Sequence, residues 1–393
     1  MSREKVEIVF IVLVFSGFPI FSFIFSALNI PAGIFTGFYH SLCLLFALLI
    51  LIKNTKAVNI IFLFFWLLYL LRIIYDISIG DIFLSDRLSI IGYFFYAFAG
   101  TFIPALAATK ISYRSILKSS NTIFYILLIS ISFGILKNFI SSGLIFNLGG
   151  RFEANEFLQT IYYGHYAVSL ILLAFSKLDL TKIRFFKFSN YLYICSIFIG
   201  ILAVGQASSR SPIFALFISL FLFFIFRKVS ITKKIFFFVV LIPVLIYQGG
   251  SIVEYSKSYG FETLVTRSEK TLIEGDVSAR DLLFIDGIDM FLDNPIIGEA
   301  FLLQKGIGKG YYPHNFFVDT LISGGIILFF LFTTIIFIVG SSSLKMLKKN
   351  EVSWLGMFFI QYFLLGMASG ALWSSKIFWV IVGLILSMKS NNK

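Results

Sequence analysis

Apolar residues fall in blocks of about 20 along nearly the whole chain, the length an α-helix needs to cross roughly 30 Å of hydrocarbon. A soluble domain of 393 residues needs a polar skin as well as a core. With 13% charged residues, against roughly 25% in ordinary soluble domains, this chain cannot build one. The expected fold is therefore all-α: a polytopic transmembrane helical bundle of about 12 spans, forming a single integral membrane domain over 1–393. Spans are predicted near 8–28, 34–52, 57–75, 88–108, 121–140, 159–176, 188–205, 212–226, 235–249, 316–340, 353–369 and 373–388. The first block is longer than a secretory h-region and lacks a small-residue cleavage site, so it reads as a retained helix.

Basic residues set the orientation. With the N-terminus cytoplasmic, alternate connections hold 20 of the 32 bases, including Lys53, Lys110, Lys177, Arg227 and Lys345, and only four of the 20 acids. That is the positive-inside distribution. The net charge of +12 is then a topology signal and gives no reason to expect nucleic acid as a partner. Both termini are expected on the cytoplasmic side of the membrane. Cys43 and Cys195 sit in separate apolar blocks and read as buried structural residues. The three histidines make no metal-ligand pattern, and no phosphate loop or dinucleotide fingerprint occurs. No cofactor or metal is expected.

One non-cytoplasmic connection is long, 250–313 between spans 9 and 10. It is predicted partly helical from Ser278 to Leu292, ended by Asp293-Asn294-Pro295 and followed by a Gly-rich run to His314. Long loops held on a rigid scaffold are frequent places for sites.

The candidate residues cluster on that side. Arg210 lies between Ser209 and Ser211 where a span begins; it either meets an anion beside the helix-start amides or snorkels to headgroups. Arg280 opens the loop helix and either clamps a second phosphate or pairs with a nearby acid. His314 precedes Asn315, a reasonable N-cap, with Asp319 one turn on. A helix N-terminus disfavours imidazolium, leaving the neutral ring that a general base needs. Arg151, in another loop on this side, is a candidate contact for an anionic or sugar substrate. His165 reads either as a packing residue inside its span or as part of a polar cavity. His40 reads as an inter-helix contact, Arg72 as a snorkelling residue and Lys376, beside Trp373, as an interfacial anchor.

Three segments carry a resemblance. They are G-Q-A-S-S-R-S-P-I-F-A-L at 205–216, S-A-R-D-L-L-F-I-D-G-I-D-M-F-L-D-N-P-I-I-G at 278–298, and H-N-F-F-V-D-T-L-I-S-G-G-I-I-L-F at 314–329. In their order and spacing they resemble the O-antigen polymerase and O-antigen ligase superfamily of bacterial envelope enzymes. Two departures stand out: Ser211-Pro212 where the family often has Gly after Ser-Arg, and Leu or Phe where it often has Trp in the loop helix. The resemblance implies a glycosyltransferase that uses a polyprenyl-pyrophosphate-linked oligosaccharide on the non-cytoplasmic side, working beside membrane lipid with a chain-length regulator and a flippase. It implies His314, Arg210 and Arg280 as the catalytic set, with Arg151, Ser209, His165, Asn315 and Asp319 as substrate contacts. The expected reaction is polymerisation of O-antigen or capsule repeat units. The alternatives are ligation of a finished glycan to lipid A–core, and a glycolipid transporter, which a polar cavity reaching both membrane faces would mark.

Overall fold

The computed structural model describes residues 1–54, 57–80, 82–84, 88–142, 154–178, 188–207, 209–227, 279–349 and 351–390. Arg151, the expected ninth span at 235–249 and the first part of the long loop, 250–278, lie outside the described residues.

The described helices are α1 (Arg3–Ala27) and α2 (Ala32–Ile52), α3 (Ile60–Ser78) and α4 (Ile91–Ala108), α5 (Tyr113–Ser142) and α6 (Thr160–Lys177), α7 (Phe188–Ala207) and α8 (Arg210–Phe226), α9 (Ala279–Asp293) and α10 (Phe316–Met346), and α11 (Ser353–Ser369) and α12 (Lys376–Ser390). Among the described residues, 7 have the length and apolarity to cross a membrane: α1 to α5, α7 and α10. α8 and α11 are apolar but shorter. Of the about 12 spans expected, these 7 are identified among the described residues. The segments expected at 159–176 and 373–388 are helical as α6 and α12 but fall outside the group.

α6 departs for a physical reason. It packs against α5, α7, α8 and α11, and nearly every residue from Tyr163 to Ala174 is buried. Protein surrounds this helix, so it can carry His165, Ser169 and Ser176 where a lipid-facing helix could not. Of the two cysteines expected to be buried, Cys43 is, but Cys195 is exposed on α7.

Side-chain contacts sort the connections onto two ends of the bundle. At one end, Glu4 meets Arg114 and Lys118, Lys53 donates to the carbonyl of Met1, Lys177 donates to Ser120 and Tyr113 donates to Glu351. This is the basic end. At the other, Asn155 donates to Ser22, Asp76 accepts from the Phe301 amide and Tyr93 packs on Phe301 and Trp373. The 279–315 segment lies at this second end.

α10 is a hairpin rather than a straight span. Gly324 and Gly325 leave helical geometry, Gly325 with φ of 58°, a left-handed conformation that glycine adopts without steric cost. Phe316 and Phe317 both pack on Phe332, at 6.1 and 5.5 Å. In a continuous helix residues 316 and 332 would stand about 24 Å apart, so the chain must turn back. A short arm, 316–323, runs beside the first turns of a long arm, 326–346. The segment after α9 fills the turn: Glu299 donates to the Ile322 carbonyl at 2.8 Å, and Ile326 donates to the Pro295 carbonyl at 2.9 Å. A Cβ on Gly325 would stand 2.3 Å from the Ile296 carbonyl oxygen, and one on Gly298 2.5 Å from that of Ile322. The Asn-Pro-x-x-Gly run and the Gly-Gly pair are thus the two halves of one joint. The expectation of a single span over 316–340 is corrected accordingly.

Candidate functional site

The short arm carries the histidine. His314 sits just before it with φ of 57°, a left-handed conformation that is uncommon for a residue with a side chain. Asn315 is the N-cap, its Oδ1 accepting from the amides of Phe317 at 3.0 Å and Val318 at 3.3 Å. The side-chain oxygen of Asn315 starts the helix, as the sequence suggests, and leaves His314 outside it.

Asp319, one turn on, is fully buried. Its Oδ1 accepts from Tyr69 at 3.0 Å and Ser323 at 3.3 Å, and its Oδ2 accepts from the Leu372 amide at 2.9 Å. It thus acts on the site by position, clamping the short arm to α3 and to the 3₁₀ turn Leu372–Ser374. Leu372 in turn accepts through its carbonyl from the Trp379 indole at 3.0 Å.

α8 begins where α6 is narrowest. Gly164 of α6 leaves room for Pro212: a Cβ there would stand 2.7 Å from the proline ring. That close approach sets Ser211 Oγ 3.2 Å from His165 Nε2. The rest of the His165 neighbourhood is firmly held, because Gln361 donates to the His165 carbonyl at 2.7 Å and Ser169 links Gln361 to Tyr362. Connected buried polar groups fix side-chain positions, while His165 Nδ1 is buried without a partner among the described residues. His165 therefore orients the start of α8 from within the core. Ser209 is buried at the N-cap position without a side-chain capping bond, and Arg210, the first helical residue, is exposed.

Arg280 stands in the first turn of α9. That helix is seated on the short arm through Met290, Ala300, Leu303, Val318 and Ile322, and Asp286 on it accepts from the Gly308 amide at 3.2 Å. Burial lowers the pKa of the Arg280 guanidinium; the Tyr312 hydroxyl opposes that shift and the neighbouring Arg210 guanidinium adds to it. Tyr312 is the link to the base, its ring centroid 4.3 Å from that of His314. Arg210, Arg280, Tyr312 and His314 thus form a run of neighbours, contributed by α8, α9 and the entrance to the short arm.

Two arginines cannot lie in mutual electrostatic range without repulsion, and a multiply charged anion such as pyrophosphate relieves it. A half-buried imidazole beyond a tyrosine from them is suitably placed to take a proton. The four side chains thus bring two cations, a phenol and an imidazole to one end of the bundle. Residues 195–333 match the family model of O-antigen ligase. No curated protein matches the chain. The matched stretch holds Ser209, Arg210, Arg280, His314, Asn315 and Asp319, whereas His165, Tyr69 and Lys376 fall outside it.

Sequence reasoning missed several residues here. Arg72, expected to snorkel, pairs with Asp76 at 2.8 Å and donates to the Gly298 carbonyl at 3.4 Å. With Asp76 accepting from Phe301, this pair docks the loop onto α3. Lys376, expected at the interface, is buried, its ammonium 4.4 Å from the Tyr39 ring centroid. It lines a cavity of about 280 Å³ that also takes in Tyr312. His40 touches Tyr96 of α4, centroids 5.0 Å apart, an inter-helix contact as expected, and lines the same cavity. The available signal was the Asp76 carboxylate one helical turn from Arg72, which marks an inward-facing pair.

Proposed function

We propose that this protein transfers a glycan from a polyprenyl-pyrophosphate carrier to a sugar hydroxyl on the non-cytoplasmic side of a bacterial inner membrane. The observation that carries the reading is the neighbourhood of Arg210, Arg280, Tyr312 and His314, on segments that match an O-antigen ligase family. In this reaction His314 accepts the proton of the attacking hydroxyl as its oxygen bonds to the anomeric carbon. The bond from that carbon to the phosphate oxygen breaks, and the electron pair leaves with the pyrophosphate. Arg210 and Arg280 neutralise the charge that develops there. One in-line displacement inverts the anomeric centre, and the chemistry calls for no nucleotide and no metal.

Between the two acceptors, the family match supports ligation of a finished glycan to lipid A–core ahead of repeat-unit polymerisation, the reading that sequence placed first. The transporter reading has less behind it, since the cavity is lined from the site-end halves of its helices. On this account the site end faces away from the cytoplasm, the basic end faces it together with both termini, and spans beyond the 7 complete the bundle.

Surface glycan from a strain lacking the gene tests the proposal. A lost ligase leaves long chains on the lipid carrier. A lost polymerase leaves lipid capped by a single repeat. A normal glycan profile would rule out both.

A further inference from the structure

The cavity beside His314 contains a cation that the transfer reaction leaves unused. Lys376 is 6% exposed, and its ammonium meets no carboxylate or other oxygen acceptor among the described residues. Its neighbours are the Tyr39 ring and the Cys43 thiol. Tyr39 is seven residues into α2, so the ammonium lies about 10 Å below the site end of that helix. An ionisable group held at such depth is expensive to keep and marks a functional position.

The walls say what would compensate it. Six tyrosines line the cavity, together with His40, and no carboxylate does. Flat rings with polar tips suit a ligand with apolar faces and hydroxyl edges, which describes a pyranose. A volume of about 280 Å³ has room for a sugar ring. A lone ammonium with three donors suits one monoanionic group, whereas the arginine pair suits a pyrophosphate. Tyr312 belongs to both surroundings, so a ring seated in the cavity would lie next to His314, on the side where the acceptor hydroxyl is needed.

We infer that this cavity is the acceptor subsite for a sugar ring bearing a carboxylate, the carboxylate resting on Lys376. The inference rests on the glycan-transfer reading for its word acceptor, but the binding it requires can be read without any transfer. Full-length protein in lipid nanodiscs is titrated with glucuronate, glucose and inorganic phosphate, followed by ligand-observed NMR. Glucuronate is expected to bind at least tenfold more tightly than glucose, and phosphate to compete weakly. In Lys376→Met the glucuronate preference falls to that of glucose. Loss of an unpaired buried charge leaves the fold intact, and Lys376→Arg retains the preference. Equal binding of glucuronate and glucose by the unaltered protein overturns the inference without need of any variant. So does phosphate displacing glucuronate at equal concentration, which would assign the cation to a phosphate. Either failure removes the acidic-sugar subsite and leaves the transfer reaction to its own glycan-profile test.

Discussion

At the basic end of the bundle, half-buried Glu4 meets the exposed side chains of Arg114 and Lys118, and buried Glu7 accepts from the side chains of Arg3, Ser112 and Ser115 and from the Ser112 amide. At the site end, Asp76 and Asp319 are enclosed and accept from the backbone amides of Phe301 and Leu372. In the first arrangement most of these partners are side chains near helix starts, with the Ser112 amide a backbone partner of Glu7, and slack in a long side chain such as Lys118 is taken up by another. The second ties a rigid carboxylate to a backbone, so it fixes where a loop passes. Charge at one end joins neighbouring helix starts; at the other it fixes the loop that precedes His314 and the short arm that follows it.

The comparison breaks first, if it is wrong, at Asp319. Asp319→Leu strands the Tyr69 hydroxyl and the Leu372 amide, each at about 1–3 kcal/mol for a buried group left without a partner. Glycan transfer is expected to vanish and thermal unfolding to move down by many degrees. Transfer at the unaltered rate would make the clamp incidental.

The joint is next. Gly325→Ala places a side chain against the Ile296 carbonyl and forces a left-handed residue, a strain of about 1–3 kcal/mol, so activity should fall with a moderate loss of melting temperature. Gly33, whose added Cβ would meet nothing within 4 Å, is the matched control, and Gly33→Ala should behave as the unaltered protein.

Changes at the basic end should be milder in their effect on transfer. Glu7→Ala strands the Ser112 amide and two serine hydroxyls, at about 1–3 kcal/mol for a buried group left without a partner, and should lower stability while leaving transfer by the folded protein unchanged. Arg114→Ala, in an exposed pair, should change neither, measured by the same melting and glycan assays. A large activity loss from either would show that the two ends are coupled.

The sequence made much of this legible. Apolar blocks gave the helices, basic residues gave the alternation of connections, and Asn315 announced the start of a helix. Hydropathy could not show the reversal at Gly324 and Gly325, because two glycines in an apolar run leave its average almost unchanged while the path folds back. Nor could it place Lys376, since a lysine at a span end reads alike whether the helix ends in headgroups or inside a protein cavity. Arg210 and Arg280 were legible as cations at helix starts, but Tyr312, which joins them to His314, became visible only when the loop was folded.

The most direct test of the site is His314→Ala expressed at normal level in the deletion strain, with membrane insertion measured alongside the surface glycan. The account predicts a fully inserted protein and the same glycan defect as the deletion. Restoration of normal glycan by that variant would contradict it, because no proton acceptor would then be required at this position.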